Sequence, residues 1–334
     1  MLNETSASNS SNNHVIPLLQ LYFPITRIVM TQFSEFDKFK ISTLSQAAKS
    51  HIVQFGRMRA TYMNIYFERF CISIRVHTDS DDVPHFFKFF MTNGGRERPG
   101  LNSPCVSSEY RRGEDPSTRG VLEYNGGTFV LWLKHIQDLF HCTRIHFVHV
   151  EERSDNYQIR CLQDFLGPQT YFRVGKFLFC QRVLKNNFPV RRLHLSSDEF
   201  RDVEFGRTVL SSEYDTLCID LSTRMTVNDI LKLKTNKLIM HMMSSSCEDL
   251  SLIIRRCIIY GWTSMRHVEI YLRTSIDANI ATVLQGFKRI FTKEEKHNDV
   301  VYRSYDILKE NEYRGTVYIG QDENEQVCTF FFRR

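Results

Sequence analysis

Proline and glycine are scarce in this chain, eight and 15 among 334 residues. That excludes collagen-like and linker-like composition and leaves most of the sequence free to form regular elements. No stretch approaches the roughly 18 apolar residues of a spanning helix. The opening MLNETSASNSSNN has neither the basic nor the apolar part of a secretory signal. A surplus of one charge is also missing. Forty-three Lys and Arg stand against 38 Asp and Glu, evenly spread, so neither a polyanion partner nor a membrane is expected, and nucleic acid is a poor candidate. The nine cysteines are odd in number and scattered, and none lies in a CxxC pair. That suits reduced thiols in an intracellular protein, cytoplasmic or nuclear, better than a disulfide framework. The strong enzyme signatures are absent as well: no phosphate loop, GxGxxG, HExxH, GxSxG or kinase set.

What is abundant is material for packed cores, with 42% hydrophobic residues, 26 Phe and 14 Tyr. Residues 1–13 are Ser/Asn-rich and read as a disordered tail. Residues 14–56 read as a helical unit. After Pro24, the positions Ile25, Ile28, Val29, Phe33 and Phe36 step by three and four. Ser34 and Asp37 have the spacing of a capping box, and a third helix is expected from about Ser45 to Val53. Such a short unit cannot bury a core alone, so it must dock on a partner or on the rest of the chain. From residue 57 to 334 we expect one larger α/β domain. Alternation marks strands between Tyr62 and Val76, and residues 92–120, rich in Gly, Pro, Arg and acids, read as a long exposed loop. Helical spacing returns at Phe129, Leu133, Ile136 and Phe140, and Arg144–Val150 reads as a strand.

Between residues 176 and 291, apolar helical stripes alternate with four strand-like runs starting at Arg191, Thr216, Lys237 and Arg266. Aligning Leu193, Leu217, Leu238 and Val268 gives steps of 24, 21 and 30 residues, around the length of leucine-rich repeats. A doubly wound sheet is the competing architecture, but its strands would read as continuous apolar runs. Here Leu195, Ile219, Met240 and Ile270 alternate with polar residues. The expected fold is therefore an irregular leucine-rich-repeat-like stack of alternating helices and strands, its open face carrying His194, Asp220, His241, Glu269 and Tyr271. Those five are the candidate substrate-binding residues, because mixed charge with an aromatic suits a protein surface. Strand-like runs at Val300–Ile307, Thr316–Ile319 and Val327–Phe332 close the chain.

Candidate chemistry is thin. His141, Cys142, His146 and His149 have zinc-ligand types, but strict alternation in a strand would put His146 and His149 on opposite faces. No metal or cofactor is expected, and no catalytic residue is assigned. An unrecognised hydrolase would need a nucleophile, a base and an oxyanion site converging in one pocket.

The order of motifs carries a resemblance. Pro17-Leu18-Leu19-Gln20-Leu21, the helix at Val29-Met30, the turn at Ser34, Phe36 and Asp37, and Ile41-Ser42, Ser45 and Lys49 together resemble a nematode-type F-box. Tyr22, Glu35 and Lys38 depart from its usual Pro, Pro and apolar residue. The segment Glu248–Ile270, with Gly261-Trp262 and Met265-Arg266-His267-Val268-Glu269, is similar to a type 2 F-box-associated domain. The resemblance implies an adaptor rather than an enzyme. Its box would bind the Skp adaptor of an SCF ubiquitin ligase through Pro17, Leu18, Leu21, Val29, Met30 and Phe33, and the following domain would recruit a protein substrate. The alternative is a repeat-type interaction module that no longer binds the ligase.

Overall fold

The computed structural model describes residues 23–56, 58–69, 71–78, 83–90, 107–112, 120–122, 128–151, 162–175 (except 163 and 168), 184–185, 190–196, 202–222, 225–242, 247–259, 267–273, 283–297, 300–309, 312–322 and 327–333. The tail 1–13 and the candidates Pro17, Leu18 and Leu21 lie outside these residues, as does Trp262.

Three helices come first: α1 (Phe23–Gln32), α2 (Glu35–Leu44) and α3 (Gln46–Phe55). Their boundaries follow from the caps. The Ser34 hydroxyl accepts from the Asp37 amide and the Ser45 hydroxyl from the Ala48 amide, each satisfying a backbone donor that the first helical turn leaves open. A strand-rich sheet follows: β1 (Tyr62–Phe67), β2 (Cys71–His77), β3 (His85–Phe90), β4 (Ser107–Arg112), β5 (Gly120–Leu122), β6 (Ile145–Val150), β7 (Tyr171–Val174), β8 (Arg192–Leu195), β9 (Glu213–Ser222), β10 (Lys234–Met242), β11 (His267–Arg273), β12 (Lys288–His297), β13 (Val300–Lys309), β14 (Glu312–Asp322) and β15 (Val327–Arg333). Helix α4 (Phe129–Leu139) precedes β6, α5 (Val203–Ser211) precedes β9, α6 (Val227–Ile230) precedes β10 and α7 (Cys247–Ile259) precedes β11.

All 15 strands join one sheet in the order β12-β13-β14-β15-β11-β10-β9-β8-β7-β6-β1-β2-β3-β4-β5. The middle, from β11 to β1, is parallel, and both wings are antiparallel. The chain is thus a mixed α/β protein with three helices ahead of a strand-rich sheet, and antiparallel strands flank the parallel block on each side.

One residue from each of β2, β1, β6, β7, β8, β9, β10 and β11 forms a continuous buried row: Ile74, Ile65, Val148, Phe172, Leu193, Leu217, Leu238 and Val268, in mutual register and fully buried. The four residues aligned by repeat spacing are therefore true cross-strand neighbours. These eight strands turn this parity toward the helices, which is how the alternation buries one face. Leu195, Ile219, Met240 and Ile270 are buried on that face as expected.

The three N-terminal helices belong to the same core. Phe39 of α2 packs its ring 4.8 Å from Phe87 and 5.9 Å from Trp132, and Phe36 stacks on Tyr110 at 4.8 Å. Lys49 meets Asp138 at 2.5 Å and the Ser42 hydroxyl lies 2.8 Å from His135 Nε2. Burial pushes His135 down to about 4, so it stays neutral at this contact.

Four sequence expectations change. The loop expected at 92–120 contains β4 and the first residue of β5; β4 pairs with β3 on one side and with β5 on the other. β7, only four residues long, and β12 were not foreseen. The helical spacing at Ile280–Phe287 falls partly outside the described residues, and Leu284–Gly286 forms a turn into β12, with Gly286 at φ 79°. The fourth change concerns β6. Met63 pairs with Ile145 but Asn64 pairs with Phe147, so His146 is the extra residue of a β-bulge.

Candidate functional site

The face of the sheet opposite the helices gathers the polar and aromatic parity of each strand. Its centre lies at β7–β9. His194 Nε2 is 2.6 Å from one Asp220 oxygen, and Arg173 Nη2 is 3.3 Å from the other. Burial alone would raise the Asp220 carboxyl, but the hydrogen bond with His194 and the charges of His194 and Arg173 hold it below the ordinary carboxylate range. The Cys218 thiol is cross-strand to His194 and 3.9 Å from Asp220. Tyr171 sets its ring edge-on to His194 at 5.9 Å.

A second cluster lies at β10–β11. Glu269, with 12% of its side chain exposed, accepts from Lys237 at 2.9 Å and pairs with His267. Burial works against its charge, yet the hydrogen bonds from His267 and Lys237 prevail and bring the carboxyl down to about 2. The Tyr271 hydroxyl donates to the same carboxylate at 3.4 Å, and its ring stacks on the exposed His241 at 4.5 Å. Burial and the Glu269 charge push the Tyr271 phenol up to about 12.

The five residues expected on the open face therefore do lie on it, in two groups: His194 with Asp220, and Glu269 with Tyr271 and His241. Sequence reasoning did not pair them with Arg173, Tyr171, Lys237 and His267. It also stopped the face at β8, whereas β7, β6, β1 and β2 continue it. There Tyr62 stacks on His77 at 4.4 Å and sits tilted against His146 at 5.1 Å, Tyr66 meets His149 at 6.0 Å, and Arg75 lies over the Tyr66 ring at 4.1 Å.

His146 and His149 thus contact two tyrosines of one face of β1, and their expected separation onto opposite faces is overturned by the bulge. They still do not form a ligand set with their sequence neighbours. His141 Nε2 is 2.9 Å from the Val53 carbonyl, and Cys142 is near the Arg144 carbonyl at 3.8 Å. Among the described residues, one group of metal-capable side chains converges: His194, Cys218 and Asp220, with ligand atoms within 4.8 Å of one another. Arg173 already supplies a positive charge to that carboxylate, which opposes entry of a cation. The same trio has the types of a nucleophile, a base and an acid. Burial and the Asp220 charge push the Cys218 thiol up to about 12, the reverse of the activation that a nucleophilic cysteine requires.

At the N-terminal helices, Met30 is fully buried in the chain's own core. Its assignment to an adaptor contact is corrected accordingly, since an inward side chain has no surface to offer. Val29 is half-buried, and Phe33 is half-buried against the core. The outward side of α1 instead carries Ile25, 49% exposed, and Ile28, 63% exposed. No family model, curated protein or solved structure matches the chain.

Proposed function

We propose that the chain is a substrate-recruiting subunit of an SCF-type ubiquitin ligase, with helices α1–α3 meeting a Skp adaptor and the open sheet face capturing a protein substrate. The observation that carries this reading is the outward apolar edge of α1, where Ile25 and Ile28 are 49% and 63% exposed. Exposed apolar side chains on a short helical unit favour a partner surface. The F-box-like order of residues from Pro17 to Lys49 points to the Skp adaptor as that partner. In the same reading β8–β11 and their crossovers are an irregular leucine-rich-repeat-like stack, supported by the shared register of Leu193, Leu217, Leu238 and Val268. The protein works inside the cell and has no catalytic centre of its own.

A second reading has its own support. Met30, Phe39 and the Lys49–Asp138 pair tie the helices into the domain, as in an interaction module that needs no adaptor. One experiment separates the two. Replacing Ile25 and Ile28 together by Glu places charge on already exposed positions, so folding survives while an apolar interface would lose its contact. Co-purification with a Skp adaptor should disappear with an unchanged melting temperature. Absence of the adaptor from the purified wild-type chain leaves the second reading standing, and retention by the folded double variant overturns the α1 edge as the adaptor contact.

A further inference from the structure

The open face is not electrically uniform. Toward β7–β11 two cations have a carboxylate at hand: Arg173 reaches Asp220 at 3.3 Å and Lys237 reaches Glu269 at 2.9 Å. At the far edge, Lys88 meets Glu68 at 3.3 Å. Between these, Arg75 on β2 and Arg192 on β8 have no carboxylate partner among the described residues, and the Nε–H of each is buried with no acceptor. The Arg75 guanidinium lies over the rings of Tyr66 and Phe86, at 4.1 and 5.1 Å. Cation–π contacts orient a guanidinium without neutralising it.

These two arginines lie at opposite ends of one cross-strand row: Arg75, Asn64, Phe147, Tyr171 and Arg192, each in register with the next. Four strand spacings separate the ends, about 19 Å. Phe147 and Tyr171 stack on each other midway at 5.9 Å, and the Asn64 carbonyl oxygen is buried with no donor. The histidines beside the row report the same positive field. Besides burial, Arg75 lowers His77, Arg192 lowers His146, and Arg173 and Arg75 lower His149.

We propose that this row binds an acidic stretch of polypeptide, with one carboxylate on Arg75, a second on Arg192 and an apolar or aromatic side chain over the Phe147–Tyr171 pair. The inference rests on the reading of the open face as a capture surface and names the chemistry of what is captured. An extended chain advances about 3.3 Å per residue, so the two carboxylates are about six residues apart. Bidentate guanidinium–carboxylate contacts supply the orientation. A nucleic-acid strand fits less well. The rings stack on one another instead of offering free faces, and a phosphate track wants a cation at every step where this row has one at each end.

The test uses the purified full chain and fluorescence anisotropy with three probes. One is a labelled peptide with two Glu six residues apart and a Phe between them, the second is the same peptide with Gln for both Glu, and the third is a single-stranded oligouridine of matched length. The acidic peptide should bind, weaken with added salt, and lose about tenfold with either Arg75→Gln or Arg192→Gln. The Gln peptide should bind at least as weakly as the acidic one does to the arginine variants, which checks the charge requirement without altering the protein. Equal binding of both peptides overturns the proposal, as does absence of binding. Tighter binding of the oligonucleotide replaces it with a nucleic-acid surface. No Skp adaptor is present in this assay, so loss of the ligase reading and loss of this inference register in different experiments.

Discussion

The Glu269 cluster permits a quantitative test of the open face. Its carboxyl titrates at about 2 where 4.5 is ordinary, because the hydrogen bonds from His267 and Lys237 outweigh the cost of burial. By proton linkage a depression of that size corresponds to about 3 kcal/mol of stability at neutral pH. Lys237 is 40% exposed, so solvent screening brings the contribution to about 2 kcal/mol. The direction follows from proton counting. Between the two values the unfolded chain binds more protons than the native state, so stability falls as pH drops from about 4.5 toward 2 and is fully present above 4.5. Glu269→Gln keeps the shape and removes the charge. Urea melts of both proteins should differ by about 2 kcal/mol at pH 7, and by less than half of that at pH 3, where the wild type has surrendered much of the same interaction. A difference that is unchanged between the two pH values would refute the electrostatic account and assign the effect of the substitution to packing.

Two further outcomes follow from the same geometry. Phe39→Ala, at a fully buried ring between Phe87 and Trp132, should cost about 3–5 kcal/mol and lower the chain's single melting transition; a second, separate transition for the helices would contradict the shared core. Burial pushes the thiols of Cys71 and Cys218 up to about 12, so mass-resolved iodoacetamide labelling of the native protein at pH 8 should spare both, and rapid modification of either would overturn its placement.

Where local physics decided the structure, the sequence was readable. Ser34 and Ser45 cap helices where their spacing placed them, because a side-chain oxygen at the N-terminus satisfies a local backbone donor. Thr226 and Asp229, which have the same three-residue spacing, form a reciprocal cap. The parity of β8–β11 was readable because one face is apolar over several consecutive strands. β7 escaped notice because four residues give too little alternation, and β4 because its side of a hairpin carries Ser, Glu and Arg. His146 shows a different limit. A bulge depends on the partner strand's register, so one inserted residue reverses a facing argument that was sound for a regular strand. The arginine row escaped for a related reason: Arg75 and Arg192 are 117 residues apart in sequence, and only the intervening strands align them.

The position of β15 between β14 and β11 bears on how the molecule is assembled. The meander β12–β14 is synthesised before the strand that connects it to the parallel block, and its neighbours in the sheet are its own hairpins and β15. On the ribosome, the β11 edge therefore stands open while some 53 residues, 274–326, emerge. Its apolar row, Val268 and Ile270, waits for Phe332 and Phe330. A chaperone that shields strand edges would find its client in that interval, and a stop after Asp322 would leave two separately folded sheets with complementary unpaired borders, each able to recruit the other from a neighbouring molecule.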